Sequence, residues 1–342
     1  MKKIKTINAV GQVLCHDITR IIKDVVKDTP FRKGHIVREE DIPILLSLGK
    51  EHLYIWEKKE GMLHENEAAK ILFDICKNDN MKGTEIKEGK IELIAECDGL
   101  FRVDVERLDS INNLDEIIIA TRHTNYAVKK GDKLACTRVI PLIIEKSKLK
   151  EAQKIAGDTP ILELLPYKNM KAGVVTTGSE VYHGRIKDTF TPVIINKLKE
   201  YGIEVCWHKV VDDDDEMIVD AIRKIKANGA DMILCTGGMS VDPDDLTPGA
   251  IKKSGAEIIT YGAPVLPGAM FLLGYFKDGT PIMGLPGCVM YAKATVFDLV
   301  LPRIAAGVKV NKNDIVKMGH GGLCFSCKVC NYPRCEFGKG AI

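Results

Sequence analysis

The chain of 342 residues has no excess of charge of either sign. It mixes 49 Lys and Arg residues with 47 Asp and Glu residues, which leaves a formal net charge of +2. A protein whose main partner is nucleic acid or an anionic membrane usually presents a strong positive field. The balanced charge therefore predicts that neither nucleic acid nor a membrane is the main partner.

Long apolar runs are also missing from the chain. No stretch approaches the roughly 20 apolar residues that a helix needs to cross a bilayer. The N-terminal Met-Lys-Lys-Ile-Lys is basic, but polar residues between Asn8 and Asp17 interrupt the next stretch of the chain. The segment therefore lacks the apolar core of a secretion signal, and we expect a cytoplasmic protein.

The 11 cysteines are unevenly distributed. Seven are scattered, and in a cytoplasmic chain such residues are more often small core residues than disulfide partners. The other four form the pattern Cys-x2-Cys-x2-Cys-x4-Cys at Cys324, Cys327, Cys330 and Cys335. This density predicts a metal site. The first three cysteines have ferredoxin-like spacing, which suits a 4Fe-4S cluster, and four thiolates also suit structural Zn2+, so both alternatives stay open.

The first half of the chain, residues 1–165, has no regular alternation of strands and helices. Helical patterns occur at 41–49 and 65–76, and strand patterns at 52–56, 91–95, 101–105 and 133–144. His64, Glu65 and Glu67 are residue types that bind metals, but carboxylates also favour a helix start, and we expect a solvated helix start there. We predict a mixed α+β region without an assigned function.

From about residue 166, strands and helices alternate. Strand patterns occur at 173–176, 203–206, 232–235, 256–260 and 281–285, and helical patterns at 192–201, 212–228, from 248, and at 290–306. The alternation predicts an α/β domain over residues 166–308, with a parallel sheet and helices on both faces. Ligands bind such sheets at the C-terminal strand ends, where the glycine-rich loops converge. Residues 309–342 form a separate Cys-rich tail.

The loop Thr236–Pro248 is the most informative part of this domain. It leaves an apolar strand through Gly237 and Gly238, which allow a tight turn and a close approach to a ligand. Thr247 as N-cap and Pro248 as first helical residue predict that a helix comes next. Three aspartates lie between, and they would repel a phosphate unless a divalent cation intervenes. The loop indicates either a phosphorylated ligand held with Mg2+ or a surface turn rich in Gly and Asp.

Four segments resemble, in the same order, motifs of the molybdopterin-binding domain shared by the MoaB/Mog proteins, MoeA and the gephyrin E domain. They are Thr177–Val181 with Gly184–Asp188, Val211–Asp214, Thr236–Ser240 with Asp245, and Leu285–Gly287. The large region before the domain makes the whole chain similar to a two-domain MoeA-like protein, to which the Cys-rich tail is an addition.

The resemblance implies that the loops bind molybdopterin, free or adenylated. It implies catalytic roles for Asp188, Asp213 and Asp245, with Asp213 and Asp245 as Mg2+ ligands. Asp242 and Asp244 are expected to be solvated neighbours. The cofactor-binding residues that it assigns are Thr177, Gly178, Ser179, Glu180, Thr236, Gly237, Gly238, Ser240, Pro286 and Gly287.

Two departures from the family pattern concern molybdate. Ala269 stands where the family has Lys after Pro-Gly, and Tyr291 stands where the family has the Ser of Asn-Pro-x-Ser after Leu-Pro-Gly. These residues remove a charge and a hydroxyl from an oxyanion pocket. Cys288 on the same turn either contacts the cofactor or is a buried structural cysteine, and we expect the second.

Three functions are implied by the resemblance and stay open. The first is a molybdenumtransferase that inserts molybdate into adenylated molybdopterin with Mg2+ and releases AMP. The second is a non-catalytic carrier or sensor of the cofactor, and the third is a nucleotide-adding enzyme. The expected partners are adenylated molybdopterin, molybdate, other molybdenum-cofactor proteins or a molybdoenzyme, and further copies of this chain.

Overall fold

The structure is a computed structural model that describes residues 2–22, 26–55, 60–243 and 245–340. The chain forms two compact units. The first comprises Met1–Glu96, Val103–Arg122 and Lys130–Glu163, and the second comprises Cys97–Arg102, His123–Lys129 and Leu164–Ile342. Within the described ranges, none of the helices has the length and apolar character needed to span a membrane.

Strands outnumber helices in the described part of the chain. The strands are β1 (Lys2–Lys5), β2 (Ile18–Ile22), β3 (Val26–Phe31), β4 (His52–Ile55), β5 (Met62–His64), β6 (Met81–Gly83), β7 (Lys90–Ala95), β8 (Gly99–Val103), β9 (Ile117–Thr121), β10 (Tyr126–Val128), β11 (Lys133–Val139), β12 (Ile143–Glu145), β13 (Leu162–Pro166), β14 (Lys171–Thr177), β15 (Glu204–Val211), β16 (Met232–Thr236), β17 (Glu257–Tyr261), β18 (Leu272–Tyr275) and β19 (Pro281–Leu285). The helices are α1 (Asp41–Ser47), α2 (Glu65–Cys76), α3 (Val105–Asn112), α4 (Lys146–Ala156), α5 (Ser179–Tyr182), α6 (Phe190–Lys199), α7 (Asp215–Ala227), α8 (Thr247–Lys253), α9 (Val296–Ala305) and α10 (Lys312–Lys317), with 3-10 turns at Thr6–Asn8 and Gly287–Met290.

The first unit is built on antiparallel strands. Its largest sheet has the order β6-β7-β11-β9. In β7, Ile91, Leu93 and Ala95 are buried and alternate with half-buried residues, as expected for a strand with one covered face. Helix α2 buries Ala68 and Leu72. The prediction of a mixed α+β region is confirmed.

The start of α2 is less exposed to solvent than predicted. His64 is the N-cap, its Nδ1 accepts a hydrogen bond from Asn66 N (3.1 Å), and Glu67 completes a capping box. The His64 Nε2 lies 2.8 Å from Cys15 O. His64 and Glu65 are only 2% and 8% exposed, and burial raises the pKa of Glu65. The helix start is confirmed, whereas its predicted solvation is wrong.

Two predicted strands of the first half have different bounds. The pattern over 133–144 forms two strands, because the extended backbone is interrupted near Pro141. The second strand, β12, pairs with β5. The strand predicted over 101–105 ends at Val103, because Asp104 caps α3. Trp56, at the end of the strand predicted over 52–56, lies outside the described residues.

The second unit contains a six-stranded sheet with the order β15-β14-β16-β19-β18-β17. The first four strands are parallel, and β18 and β17 continue the sheet in antiparallel fashion. Every residue of the central strand β16 is buried, which explains its continuous apolar run. The predicted α/β fold is confirmed, although no pattern indicated β18.

Successive residues of the parallel strands point to two separate cores. On one face, Val174 and Leu234 pack with residues of α6 and α9. On the other, Val175 and Ile233 pack with residues of α7 and α8. Helices therefore cover both faces of the sheet, as the alternation of strands and helices predicts.

Two helices of this unit begin later than predicted. Helix α9 begins at Val296 rather than at Met290, because Thr295 and Asp298 form a capping box, with Thr295 N donating to Asp298 Oδ2 (2.7 Å). Helix α7 begins at Asp215, and Asp214 caps it by accepting from Met217 N (2.8 Å).

Close packing of α7 on β14 yields a prediction about stability. A Cβ added to Gly173 would lie 2.1 Å from Ile225 Cγ2. We expect Gly173→Ala to lower the free energy of unfolding by about 1–3 kcal/mol, because the helix must shift to make room. Urea unfolding of the full-length chain measures this change.

Gly249→Ala is the matched control. Its added Cβ meets no described atom within 4 Å, and Gly249 lies in α8. We expect no loss of stability, or a gain of up to about 1 kcal/mol from helix propensity. Equal effects of the two substitutions would contradict the packing argument.

Candidate functional site

Loops after the parallel strands β16 and β19 meet at one edge of the sheet. They meet because the C-terminal ends of parallel strands share that edge. A cavity of about 440 Å³ opens there. Its lining residues are Phe190, Gly237, Gly238, Met239, Ser240, Asp245, Ala269, Met270, Leu285, Pro286, Gly287 and Cys288.

Two consecutive glycines bring the loop after β16 close to the end of β14 and to the start of α8. Gly237 has a φ of 85°, and an added Cβ would lie 2.2 Å from Thr177 O. Gly238 has a φ of 53°, and its Cβ would lie 2.9 Å from Thr247 Oγ1. Larger residues would push apart the loops after β14 and β16, so these positions require glycine.

Hydroxyl groups hold the glycine turn in place. Thr247 Oγ1 donates to Gly237 O (2.9 Å) and lies 3.2 Å from Thr177 Oγ1. Thr247 is the first residue of α8 and Leu246 occupies the N-cap, so the prediction of Thr247 as N-cap is wrong by one residue. Tyr261 Oη donates to Met239 O at 3.1 Å, which fixes the next part of the loop.

Asp245 lies on the cavity wall within a small closed turn. Its Oδ2 accepts from Asp242 N (2.8 Å), and its own N–H donates to Asp242 O (3.0 Å). Asp242 is exposed, as expected of a solvated neighbour. Asp244, for which the same was expected, lies outside the described residues. Asp245 thus presents a carboxylate to the cavity from a fixed backbone.

Asp213 joins two loops and is not among the residues that line the cavity. Its Oδ2 accepts from Ser179 N (2.8 Å), and Ser179 Oγ donates to the neighbouring Asp212. The hydrogen bond from Ser179 holds the pKa of Asp212 below its usual range, helped by Asp213 N and His183. These contacts tie the turn after β14 to the segment between β15 and α7.

Asp188 holds the start of α6. Its Oδ1 accepts from Phe190 N (2.9 Å) and Thr191 N (3.0 Å), and its Oδ2 lies 3.6 Å from His208 Nε2. Burial alone would raise the pKa of Asp188, but the hydrogen bonds from Thr191 and Phe190, together with His208, lower it overall. The carboxylate therefore positions Phe190, which lines the cavity.

The structure brings some of the predicted catalytic and cofactor-binding residues together at the cavity. The members that line the cavity are Gly237, Gly238, Ser240, Asp245, Pro286 and Gly287. The members outside the lining are Thr177, Gly178, Ser179, Glu180, Thr236, Asp188 and Asp213. Within the described part of the chain, the buried Thr236 Oγ1 has no hydrogen-bond partner.

Several lining residues were not singled out from the sequence. Phe190, Met239 and Met270 supply apolar surface. Phe190 comes two residues after Asp188, which is the one signal that points to it. Cys288 is half-buried on the cavity wall rather than fully buried as expected, and burial raises the pKa of its thiol.

The side chains of this site can hold a divalent cation only together with oxygen atoms from a bound molecule. Among residues 2–22, 26–55, 60–243 and 245–340, no three His, Cys, Asp or Glu side chains are placed to hold one ion. Mg2+ is commonly bound through one or two carboxylates and the phosphates of a substrate. The single carboxylate of Asp245 on the wall suits such a partial site.

Comparison with known proteins gives partial matches. A protein of Bacillus thuringiensis (strain Al Hakam) that is named as competence-damage inducible is 34% identical over 108 residues, covering 32% of this chain and 25% of that protein. The chain thus spans about a quarter of the length of the curated relatives it matches. Residues 3–57 match a domain family of unknown function.

Two solved structures are similar to part of the chain. The molybdopterin biosynthesis enzyme MoaB of Thermus thermophilus is 22% identical, with 40% of this chain and 97% of that chain covered and a TM-score of 0.33. A tungsten cofactor synthesizing protein MoaB of Pyrococcus furiosus is 23% identical, with 40% and 92% covered and a TM-score of 0.33.

The family match falls on the six-stranded sheet and the cavity. Residues 173–306 match a family described as a probable molybdopterin binding domain. This range contains most of β14, all of β15 to β19 and every residue that lines the cavity. Residues 173–306 of this chain therefore form a domain of this molybdopterin-binding family.

Proposed function

We propose that the cavity beside Gly237–Gly238 and Pro286–Gly287 binds molybdopterin, and that the protein acts in molybdenum-cofactor assembly. The observation that carries this proposal is the convergence of two glycine turns and Asp245 on one cavity of a domain in the molybdopterin-binding family. Glycine turns allow close approach of backbone N–H groups, and the carboxylate adds a metal ligand.

The size and lining of the cavity suit a flat heterocycle. Its volume of about 440 Å³ lies in the range of small-molecule sites. Phe190, Met239 and Met270 provide apolar and polarisable contacts for a pterin ring. Ser240 adds a hydroxyl for its polar edge.

Asp245 is the proposed Mg2+ ligand. When bound there together with phosphate oxygens, Mg2+ would neutralise charge at the phosphoanhydride of adenylated molybdopterin. Asp188 and Asp213 are then positioning residues, since their carboxylates hold α6 and the turn at Ser179.

The leading activity is that of a molybdenumtransferase, in which molybdate enters adenylated molybdopterin and AMP is released. Asp245 supports this activity. A carrier without catalysis is the second candidate, and the cavity lining favours it. Among the described lining residues there is no Lys or Arg to attract molybdate, and Ala269 occupies the position at which the resemblance leads one to expect Lys. Tyr291 is 76% exposed and lies outside this lining.

One incubation separates these candidates. Full-length protein is mixed with adenylated molybdopterin, Mg2+ and molybdate, and AMP and bound molybdenum are measured over time. Release of AMP that requires both Mg2+ and molybdate supports the transferase. Tight binding without AMP release supports the carrier, and failure to bind molybdopterin contradicts both.

Asp245→Asn tests the metal ligand. We expect loss of Mg2+-dependent AMP release by at least about tenfold, because an amide is a weaker ligand for a hard cation. Affinity for molybdopterin without Mg2+ should change by less than about threefold. Asp242→Asn is the control, since its side chain is exposed and does not line the cavity. Equal effects of both substitutions would contradict the assignment.

Phe190→Ala tests the apolar wall. Loss of ring contact with the pterin should weaken binding by roughly threefold to tenfold, in keeping with about 0.5–1.5 kcal/mol for an aromatic contact. Ile195→Ala on the same helix is the control, because Ile195 is 40% exposed and does not line the cavity. Isothermal titration with molybdopterin gives both affinities, and an unchanged value for Phe190→Ala would argue against this wall.

The lowered pKa of Asp188 predicts an effect of pH on stability. Folding lowers this pKa from its ordinary value of 3.8, so the stability contributed by the carboxylate is present above 3.8 and is lost as pH falls through the folded value. At pH 7, Asp188→Ala should lower the free energy of unfolding by about 0.5–2 kcal/mol.

Urea unfolding at pH 7 and pH 3 measures this effect. The difference between wild type and Asp188→Ala should shrink at pH 3. Asp188→Asn is the control, since it keeps an acceptor oxygen for Phe190 N and Thr191 N and removes the charge. A difference that stays constant with pH would show that the ionised carboxylate contributes nothing.

A further inference from the structure

The part of the Cys-rich tail that comes after α10 packs within the second unit without helices or strands of its own among the described residues. Leu266 N donates to Gly322 O (2.8 Å), and Cys324 N donates to Leu266 O (2.8 Å). Tyr332 Oη donates to Asp298 O (3.0 Å), and Phe337 is 5% exposed within the core. The tail is therefore held in a defined position beside the segment that begins after Val265.

All four tail cysteines line one cavity. It has a volume of about 600 Å³ and differs from the glycine-lined cavity described above. The four cysteines, Cys324, Cys327, Cys330 and Cys335, are free thiols. Much of the remaining wall is apolar, with Leu266, Phe325 and Phe337 among its residues.

The space that the four cysteines enclose favours the larger of the two groups that their spacing allows. A single tetrahedral Zn2+ with Zn–S bonds of about 2.3 Å would draw the four sulfurs to roughly 3.8 Å from one another. Such a site leaves little space between its ligands, whereas the four cysteines here line a cavity of about 600 Å³. A 4Fe-4S cluster instead takes one thiolate at each of its irons, which spreads the four sulfurs around a larger group.

We propose that Cys324, Cys327, Cys330 and Cys335 bind a 4Fe-4S cluster in this cavity. Each thiol gives its proton to solvent, and its thiolate replaces one external thiolate on an iron of a preformed cluster, with no change of oxidation state. Lys293 on the wall offsets part of the negative charge of a cluster with four thiolates. Ser326, between the first two ligands, has a φ of 50°, a left-handed conformation that non-glycine residues seldom adopt away from functional turns.

The cluster cavity shares a backbone segment with the glycine-lined cavity. Leu266 and Pro267 line the first, whereas Ala269 and Met270 line the second. Two residues of chain span at most about 7 Å. Gly268 between them is closely packed, since an added Cβ would lie 2.6 Å from Val296 Cγ1. We therefore expect that binding of the cluster restricts the motion of Ala269 and Met270 on the wall of the glycine-lined cavity. The consequence for binding of a ligand there rests on the proposed function.

Metal analysis of the full-length chain tests the cluster. Protein purified without oxygen, and protein reconstituted with ferric iron, sulfide and a thiol reductant, should be brown and contain about four irons and four sulfides per chain. Reduction with dithionite should bleach the visible absorbance and produce an electron paramagnetic resonance signal. A colourless protein with one zinc, or no bound iron after reconstitution, would overturn the proposal.

Substitution of two ligands identifies the site. Cys327 and Cys330 are exposed, so Cys327→Ser with Cys330→Ser should leave the core intact and abolish iron binding. Cys206→Ser is the control, because Cys206 is exposed on β15 and does not line the cavity. Full iron content in the double variant would refute the assignment, and the iron content of the unmodified chain is decisive even if that variant misfolds.

Affinity for molybdopterin tests the link between the cavities. The cluster-loaded protein should bind molybdopterin about tenfold more tightly than the double variant, a typical coupling between sites. Equal affinity would overturn the link. Absence of molybdopterin binding in every form would refute the proposed function, and the iron content would still decide the cluster.

Discussion

The contact on which the cavity depends is that of Gly237 with the backbone of Thr177. At this point two loops from neighbouring parallel strands approach so closely that a Cβ would lie 2.2 Å from Thr177 O. The closeness lets Thr247 bridge both loops with one hydroxyl. Through Thr247, the loop that contains Asp245 is held against the end of β14. The space at position 237 therefore requires glycine, whatever chemistry takes place in the cavity.

The aspartates of the domain differ in where they lie: two hold backbone N–H groups outside the cavity lining, and one lies on the cavity wall. Asp188 and Asp213 accept hydrogen bonds from backbone N–H groups that would otherwise lack partners at the ends of loops. Asp245 is held by its own turn and lies on the cavity wall. One carboxylate and no cation in the described lining suit a pterin phosphate with Mg2+ better than a free oxyanion.

The segment Leu266–Met270 connects the two cavities of the second unit. It pairs with the Cys-rich tail through Leu266 and reaches the glycine-lined cavity through Ala269 and Met270. Gly268 is enclosed by Val296, so the segment is restrained between its ends. The proposed coupling between the two cavities rests on this restraint over two residues.

The sequence by itself determined the order of strands and helices in the domain, because continuous apolar runs such as Met232–Thr236 occur where strands are buried on both faces. It also placed Gly237 at a C-terminal strand end. Only the tertiary structure decided which groups each side chain meets. Thr247 Oγ1 lies 3.2 Å from the hydroxyl of Thr177, 70 positions earlier, and Phe190 lines the same cavity as Asp245. These outcomes depend on contacts between residues distant in the chain, and local patterns do not encode such contacts.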